Sequence, residues 1–227
     1  MIFDRVLDGL GTAIVSGTLP TGHTESIDGI VARTGASRSI VREAVRVLVG
    51  LGLLSAGRRV GLRVLPARDW DVLDPRVIGW RLAGPDRDIA LLELRELRRA
   101  IEPAAAAAAA AAVAAARAAH TDGASLPRAL EALLATTDRL ATGAGAAPRR
   151  PAAWAEADQE LHRLVFELSG NAVYGRLHRV VSRALDERAA IRPDPAAVDL
   201  HVAVARAVAD GDPTAAADAM RAIIDLA

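Results

Sequence analysis

The sequence predicts a mainly α-helical protein, an N-terminal winged helix-turn-helix followed by a C-terminal all-α helical bundle. Three observations carry that fold class. Apolar residues recur at three- and four-residue spacing along most of the chain. β-like runs are confined to one short stretch near residues 53–65. Hydrophobic residues make up 52% of the chain and aromatics only 3%, so the core is built from Ala, Val, Leu and Ile.

The first helix is marked by Val6, Leu7, Leu10, Ile14 and Val15, and Gly17, Pro20 and Gly22 stop it. Thr24 or Ser26 then caps a short helix through Ile27, Ile30 and Val31, which Gly35 ends. Ser37 caps the next helix, with Val41, Ala44, Val45 and Leu48 as its buried stripe. Arg38, Arg42 and Arg46 recur every four residues on its opposite face. Helix, glycine turn and helix make a helix-turn-helix. Two strand-like pieces follow, Leu53–Ser55 and Leu62–Leu65, around a turn that carries Arg58 and Arg59. That hairpin is the wing, and it closes a first domain over residues 1–66.

Residues 67–85 read as a linker broken by Pro75, Gly79, Gly84 and Pro85, with a short helix from Asp74 to about Ala83. Residues 86–227 form the second domain. A long helix runs from Ile89 to about Ala119, where Pro103 should kink or interrupt the backbone ladder. Further helices are expected at about 126–141, 152–168, 172–191, 196–209 and 213–226, with Gly143, Gly145 and Pro148 marking a mobile loop. Asp194-Pro195 and Asp212-Pro213 each read as an N-cap followed by proline at the first helical position.

Composition excludes several classes. The chain has 227 residues, 25% of them charged, and a mean hydropathy of +0.21, which is not the signature of a disordered chain. The absence of cysteine rules out a disulfide framework, a thiolate metal site and a cysteine nucleophile. Outside the alanine run no segment is long and apolar enough for a membrane span, and Asp4, Arg5 and Asp8 do not suit a signal peptide. A soluble cytoplasmic protein is expected.

The formal net charge of zero hides an asymmetry. Residues 1–65 hold eight arginines against five acids, and residues 31–65 hold seven arginines against Glu43 alone. A basic segment on an otherwise acidic chain is the electrostatic footprint of nucleic-acid binding. Guanidinium groups at the start of the second helix match guanine O6 and N7 in the major groove, which selects Arg38, Arg42 and Arg46. Thr34, Ser37 and the helix N-terminus suit phosphate oxygens, and Arg58 and Arg59 suit backbone phosphates or the minor groove.

The run Ala36-Ser37-Arg38-Ser39-Ile40-Val41-Arg42-Glu43-Ala44-Val45-Arg46-Val47-Leu48, with Gly52-Leu53-Leu54 after it, resembles the winged-helix signature of the GntR family of bacterial regulators. Ser39-Ile40 stands where that family usually has Thr-Pro. Asp69-Trp70-Asp71-Val72-Leu73-Asp74-Pro75 with Trp80-Arg81 resembles sugar-acid regulators of the FadR-type (FCD) branch. Leu97-Arg98-Arg99-Ala100-Ile101-Glu102-Pro103 and Asp158-Gln159-Glu160-Leu161-His162 resemble the effector domain of the same branch.

The resemblance implies a metabolite-responsive transcriptional repressor released by a small carboxylate such as a sugar acid, with Arg98 meeting the effector's carboxylate. The bland alternative for Arg98 is an intrahelical salt bridge with Glu102 or Glu93. In this branch an Asp and three His from three helices hold a divalent metal. Asp158, His162 and His201 match three of those positions, and Ile223 stands at the fourth. By spacing alone, Asp158 and His162 are an ordinary i,i+4 pair on the helix face that also carries Trp154. His120 and His178 match no ligand position. A weakened site for Zn²⁺, Ni²⁺ or Mn²⁺ is the resulting expectation.

One recognition helix reads few base pairs, so a homodimer on an inverted-repeat double-stranded DNA operator is expected. The competing readings are a helical ligand-binding or interaction module without sequence-specific DNA binding, and a metal-dependent enzyme. The second lacks a glycine-rich phosphate loop, a nucleophile elbow or a histidine-pair protease motif to support it.

Overall fold

The computed structural model describes residues 1–57, 61–119, 125–145, 151–186 and 195–226. The chain divides into two compact units, Met1–Leu91 and Leu92–Ala227.

In the first unit, α1 (Ile2–Val15) buries Val6, Leu7, Leu10, Ile14 and Val15. Ser26 caps α2 (Ile27–Thr34), its Oγ accepting the Gly29 N–H at 3.0 Å. Gly35 closes that helix in the left-handed region at φ +67°, which a residue with a Cβ adopts only at a cost. Ser37 caps α3 (Arg38–Gly50), which buries Val41, Ala44, Val45 and Leu48 as the spacing predicts. Strands β1 (Thr24–Glu25), β2 (Leu54–Gly57) and β3 (Gly61–Val64) form an antiparallel sheet in the order β1-β3-β2.

The wing strands therefore sit within two residues of their expected limits. β1 was not legible, because two residues carry no periodicity. Thr24 pairs with Arg63 across the sheet, which leaves Ser26 as the cap.

Asp74 caps α4 (Pro75–Leu82), accepting the Arg76 N–H at 2.8 Å. Trp80 lies against Gly11 of α1 so closely that a Cβ there would stand 2.5 Å from the indole. Its Nε1 also donates to Asp8 Oδ1 at 3.1 Å. The segment expected as a linker thus carries a helix docked onto α1.

The second unit is helical: α5 (Arg87–Ala118, beginning in the first unit), α6 (Ser125–Gly145), α7 (Pro151–Leu168), α8 (Ala172–Asp186), α9 (Pro195–Asp210) and α10 (Pro213–Leu226). Helix α6 packs on α7 and α9, α7 on α8, and α9 on α10. Helix α5 runs unbroken through Pro103, which removes one N–H from the ladder without ending it. Ala105, Ala106, Ala109, Ala110 and Val113 are buried with Leu133, Leu161, Val204, Val208 and Met220 in one core. Small side chains on one face allow close helix approach, so the alanine run is core. Among the described residues α5 is the one helix long and apolar enough to cross a membrane, and this buried face makes it a core helix.

Gly143 and Gly145 do not open the expected loop, because α6 continues through both, and Pro148 lies outside the described residues. Each glycine costs a helix only about 1 kcal/mol against alanine, which the preceding turns can carry. Asp212 caps α10, accepting from the Thr214 and Ala215 N–H groups at 3.1 and 3.0 Å. Residues 187–191 of the expected eighth helix, the Asp194 cap and His120 lie outside the described residues.

Candidate functional site

The chain carries two candidate sites, one in each unit. On α3, Arg38, Arg42 and Arg46 are all exposed, on the face opposite the buried stripe. Arg38 pairs with Asp28 at 2.9 Å and Arg46 with Glu43 at 2.9 Å. Exposed pairs of this kind contribute about 0–1 kcal/mol, so a phosphate or base edge can displace the acid. Arg42 makes no hydrogen bond or ion pair among the described residues.

Ser37 Oγ accepts the Ile40 N–H and lies 3.0 Å from Ser39 Oγ, at the exposed start of the helix. The Thr34 hydroxyl donates to Ile30 O, one turn back on α2, at 2.8 Å. Its oxygen also faces the Ala36 N–H at 3.4 Å, at the turn into α3. Arg58 and Arg59 lie outside the described residues. Sequence reasoning passed over Arg63, which is exposed on β3 and was hidden by its place between buried Leu62 and Val64. It also passed over the Arg33–Glu25 pair, 2.8 Å apart, which neutralises one cation of the basic segment.

In the second unit α5, α7 and α9 bring five ionisable side chains together: Arg98, Glu102, Asp158, His162 and His201, each no more than 4% exposed. Arg98 Nε donates to Glu102 Oε1 at 2.6 Å. The other carboxylate oxygen, Oε2, touches His162 Nδ1. His201 Nε2 lies 2.6 Å from Asp158 Oδ1, and its Nδ1 is held by the Ala197 carbonyl. His162 Nε2 stands 3.8 Å from the same Asp158 oxygen, too far for a hydrogen bond. The His201 ring meets Trp154 and His162 edge-on, with centroids 6.0 and 5.8 Å away.

Burial alone would raise the Glu102 pKa, but His162 and Arg98 together outweigh it and hold the carboxyl at about 2. Glu102 is therefore an anion throughout the physiological range. Five buried polar atoms of the cluster have no hydrogen-bond partner that meets normal geometry among the described residues: Arg98 Nη2, Trp154 Nε1, His162 Nε2, and the touching pair Glu102 Oε2 and His162 Nδ1. Such atoms cost about 1–3 kcal/mol each when left unsatisfied, and they mark where a polar ligand would be held.

Asp158 with His162 is thus more than a helix pair, since Asp158 bonds to a histidine on another helix. Asp158, His162 and His201 offer ligand atoms within 4.8 Å of one another. Two imidazoles and a carboxylate suit a borderline divalent cation, leaving positions for other ligands. His162 Nε2 is buried without a hydrogen-bond partner among these ligand atoms, so the residues present fit a metal. Ile223 is buried on α10 and offers no ligand atom.

Glu102, which joins Arg98 to His162, enters the sequence reading only as a salt-bridge partner for Arg98. Its spacing announced the Arg98 pair, while its reach to a helix some 60 residues later left no mark in the sequence.

A winged helix-turn-helix joined to a helical unit with a buried polar cluster suits a ligand-responsive DNA-binding protein. The FCD domain family matches residues 93–226. The chain is 30% identical over 191 residues to the galactonate operon transcriptional repressor of Escherichia coli (strain K12), covering 82% of this chain and 76% of that one. It is 26% identical over 215 residues to the HTH-type transcriptional regulator YieP of the same organism, covering 92% and 84%. Among solved structures, Streptococcus agalactiae GntR matches with a TM-score of 0.52 and 22% identity over 98% of this chain and 97% of that one. The chain belongs to the GntR family of transcriptional regulators, in the FadR-type branch that carries an FCD domain. It is a metabolite-responsive DNA-binding regulator and not an enzyme.

Proposed function

We propose that the protein is a repressor in which residues 1–66 read an operator and residues 86–227 release it when a small carboxylate binds. The segment 67–85, through α4, links the two. The observation that carries this reading is the buried Arg98, whose Nε is spent on Glu102 while its Nη2 lacks a partner. A guanidinium with a buried N–H donor spare is suited to a carboxylate. The likeness to a galactonate operon repressor makes galactonate and related sugar acids the first candidates.

Arg38, Arg42, Arg46, Arg58 and Arg59 are proposed as the DNA contacts, with Ser37 at a phosphate. Thr34, at the end of α2, is proposed at a phosphate as well. A homodimer would set two recognition helices on an inverted repeat, in the cytoplasm, where DNA and metabolite meet. Asp158, His162 and His201 would hold Zn²⁺, Ni²⁺ or Mn²⁺, and the cation would supply a positive centre for the effector's oxygen atoms.

The test is a thermal-shift screen of the full chain across sugar acids, repeated with Arg98→Lys. Lysine keeps a cation opposite Glu102 and loses the planar fork. A shift with one acid in the wild type that the variant loses supports the reading. A shift that survives in the variant removes Arg98 from the effector site. Light scattering at micromolar concentration tests the dimer.

A further inference from the structure

The Arg98–Glu102 pair is explained as an i,i+4 helix pair only for one of the two carboxylate oxygens. The other oxygen reaches α7, where it meets the Nδ1 edge of His162. An imidazole whose Nδ1 carries the proton and gives it to a carboxylate keeps its Nε2 lone pair free for a metal. Nε2 is the edge that faces Asp158 and lacks a hydrogen-bond partner among the described residues. His201 repeats the pattern with a different acceptor, since its Nδ1 is held by the Ala197 carbonyl and its Nε2 faces Asp158. Both histidines are thus backed on one edge and turned toward one carboxylate on the other.

We propose that Glu102 is the positioning residue of the candidate metal centre: it accepts the His162 Nδ1–H and so directs the Nε2 lone pair toward Asp158 and His201. Arg98 sets the strength of that hold, because it draws on the same carboxylate. Losing Glu102 lets the ring take the opposite tautomer, with the proton on the atom a metal needs. Losing the Arg98 charge leaves the carboxylate more fully available to His162. The two changes, made four residues apart on one helix, are therefore expected to move metal affinity in opposite directions. A ligand that occupies Arg98 would act in the direction of the second change. The proposal rests on the reading of Asp158, His162 and His201 as a metal site.

The experiment uses the full chain without a histidine tag, stripped of metal and titrated with Zn²⁺. Glu102→Gln is expected to weaken Zn²⁺ binding by about 10–100-fold, the usual effect of removing a group behind a metal-bound histidine. Arg98→Gln, which retains a donor to Glu102, is expected to tighten it by at least about threefold. In parallel, ¹⁵N-histidine NMR of the metal-free wild type reads the tautomer of His162, assigned by its loss in His162→Asn. A protonated Nδ1 and bare Nε2 are expected. A proton on Nε2 overturns the proposal, and this measurement needs neither helix variant to fold. Equal weakening by the two variants, as a merely structural pair would give, also overturns it. If the wild type binds Zn²⁺ and Glu102→Gln leaves the affinity within twofold, Glu102 alone loses its role. If the wild type binds no Zn²⁺, the metal reading fails and this role falls with it.

Discussion

Arg98 and Glu102 form a hydrogen-bonded ion pair, 2.6 Å between Nε and Oε1, inside the helical unit and at most 4% exposed. Breaking a buried pair by removing one partner leaves an uncompensated charge, which costs about 3–5 kcal/mol. Arg98→Ala is therefore expected to lower the unfolding free energy by that amount in urea denaturation, quite apart from any effector. Arg98→Lys should recover much of the loss. A variant as stable as the wild type would mean that the pair is not held as described.

The same pair predicts acid behaviour. The folded-state pKa of Glu102, about 2, lies below its ordinary value of 4.5, so the unfolded chain takes up the proton first. The stabilisation is complete above about pH 4.5 and is lost as the pH falls toward 2. Urea midpoints measured down this range should drop more steeply for the wild type than for Glu102→Gln. Parallel curves would contradict the assignment.

In the first unit the close approach of Trp80 to Gly11 fixes where α4 can lie. Gly11→Ala places a methyl 2.5 Å from the indole, so the ring must shift and its bond to Asp8 must lengthen. Overpacking of this kind costs about 1–3 kcal/mol. Gly9→Ala on the same helix meets nothing within 4 Å and should be neutral or stabilising. Thermal denaturation of the two variants checks the contrast.

A third histidine in place of Ile223 tests the geometry of the metal site. If only the missing ligand weakens the centre, Ile223→His should tighten Zn²⁺ binding, read by titration of the metal-free protein. Unchanged affinity would put α10 outside the site.

Much of the first unit was legible because its signals are local. Ser26, Gly35, Ser37 and Asp74 each mark a helix end by their own backbone or side-chain chemistry, and the α3 stripe follows from periodicity. β1 was not legible, because its place is set by pairing with β3, some 40 residues away. The continuation of α6 over Gly143 and Gly145 ran against propensity. In the second unit the resemblance pointed to Asp158, His162, His201 and Arg98, and the structure brings all four into one cluster. The link between the two halves of that cluster is Glu102, and a contact between helices has no local sequence pattern.

The central claim, a sequence-specific DNA-binding regulator, is tested most directly by selecting sites for the full chain from random double-stranded DNA at physiological salt, with wild type and Arg42→Ala in parallel. The wild type is expected to enrich an inverted repeat. Its affinity should fall with salt by a log–log slope of roughly −0.9 for each phosphate neutralised. Arg42→Ala should lose about 1–3 kcal/mol and relax the preference at its own base pair in each half-site. Enrichment of no sequence by the wild type, or the same sequence with undiminished affinity by the variant, would contradict it.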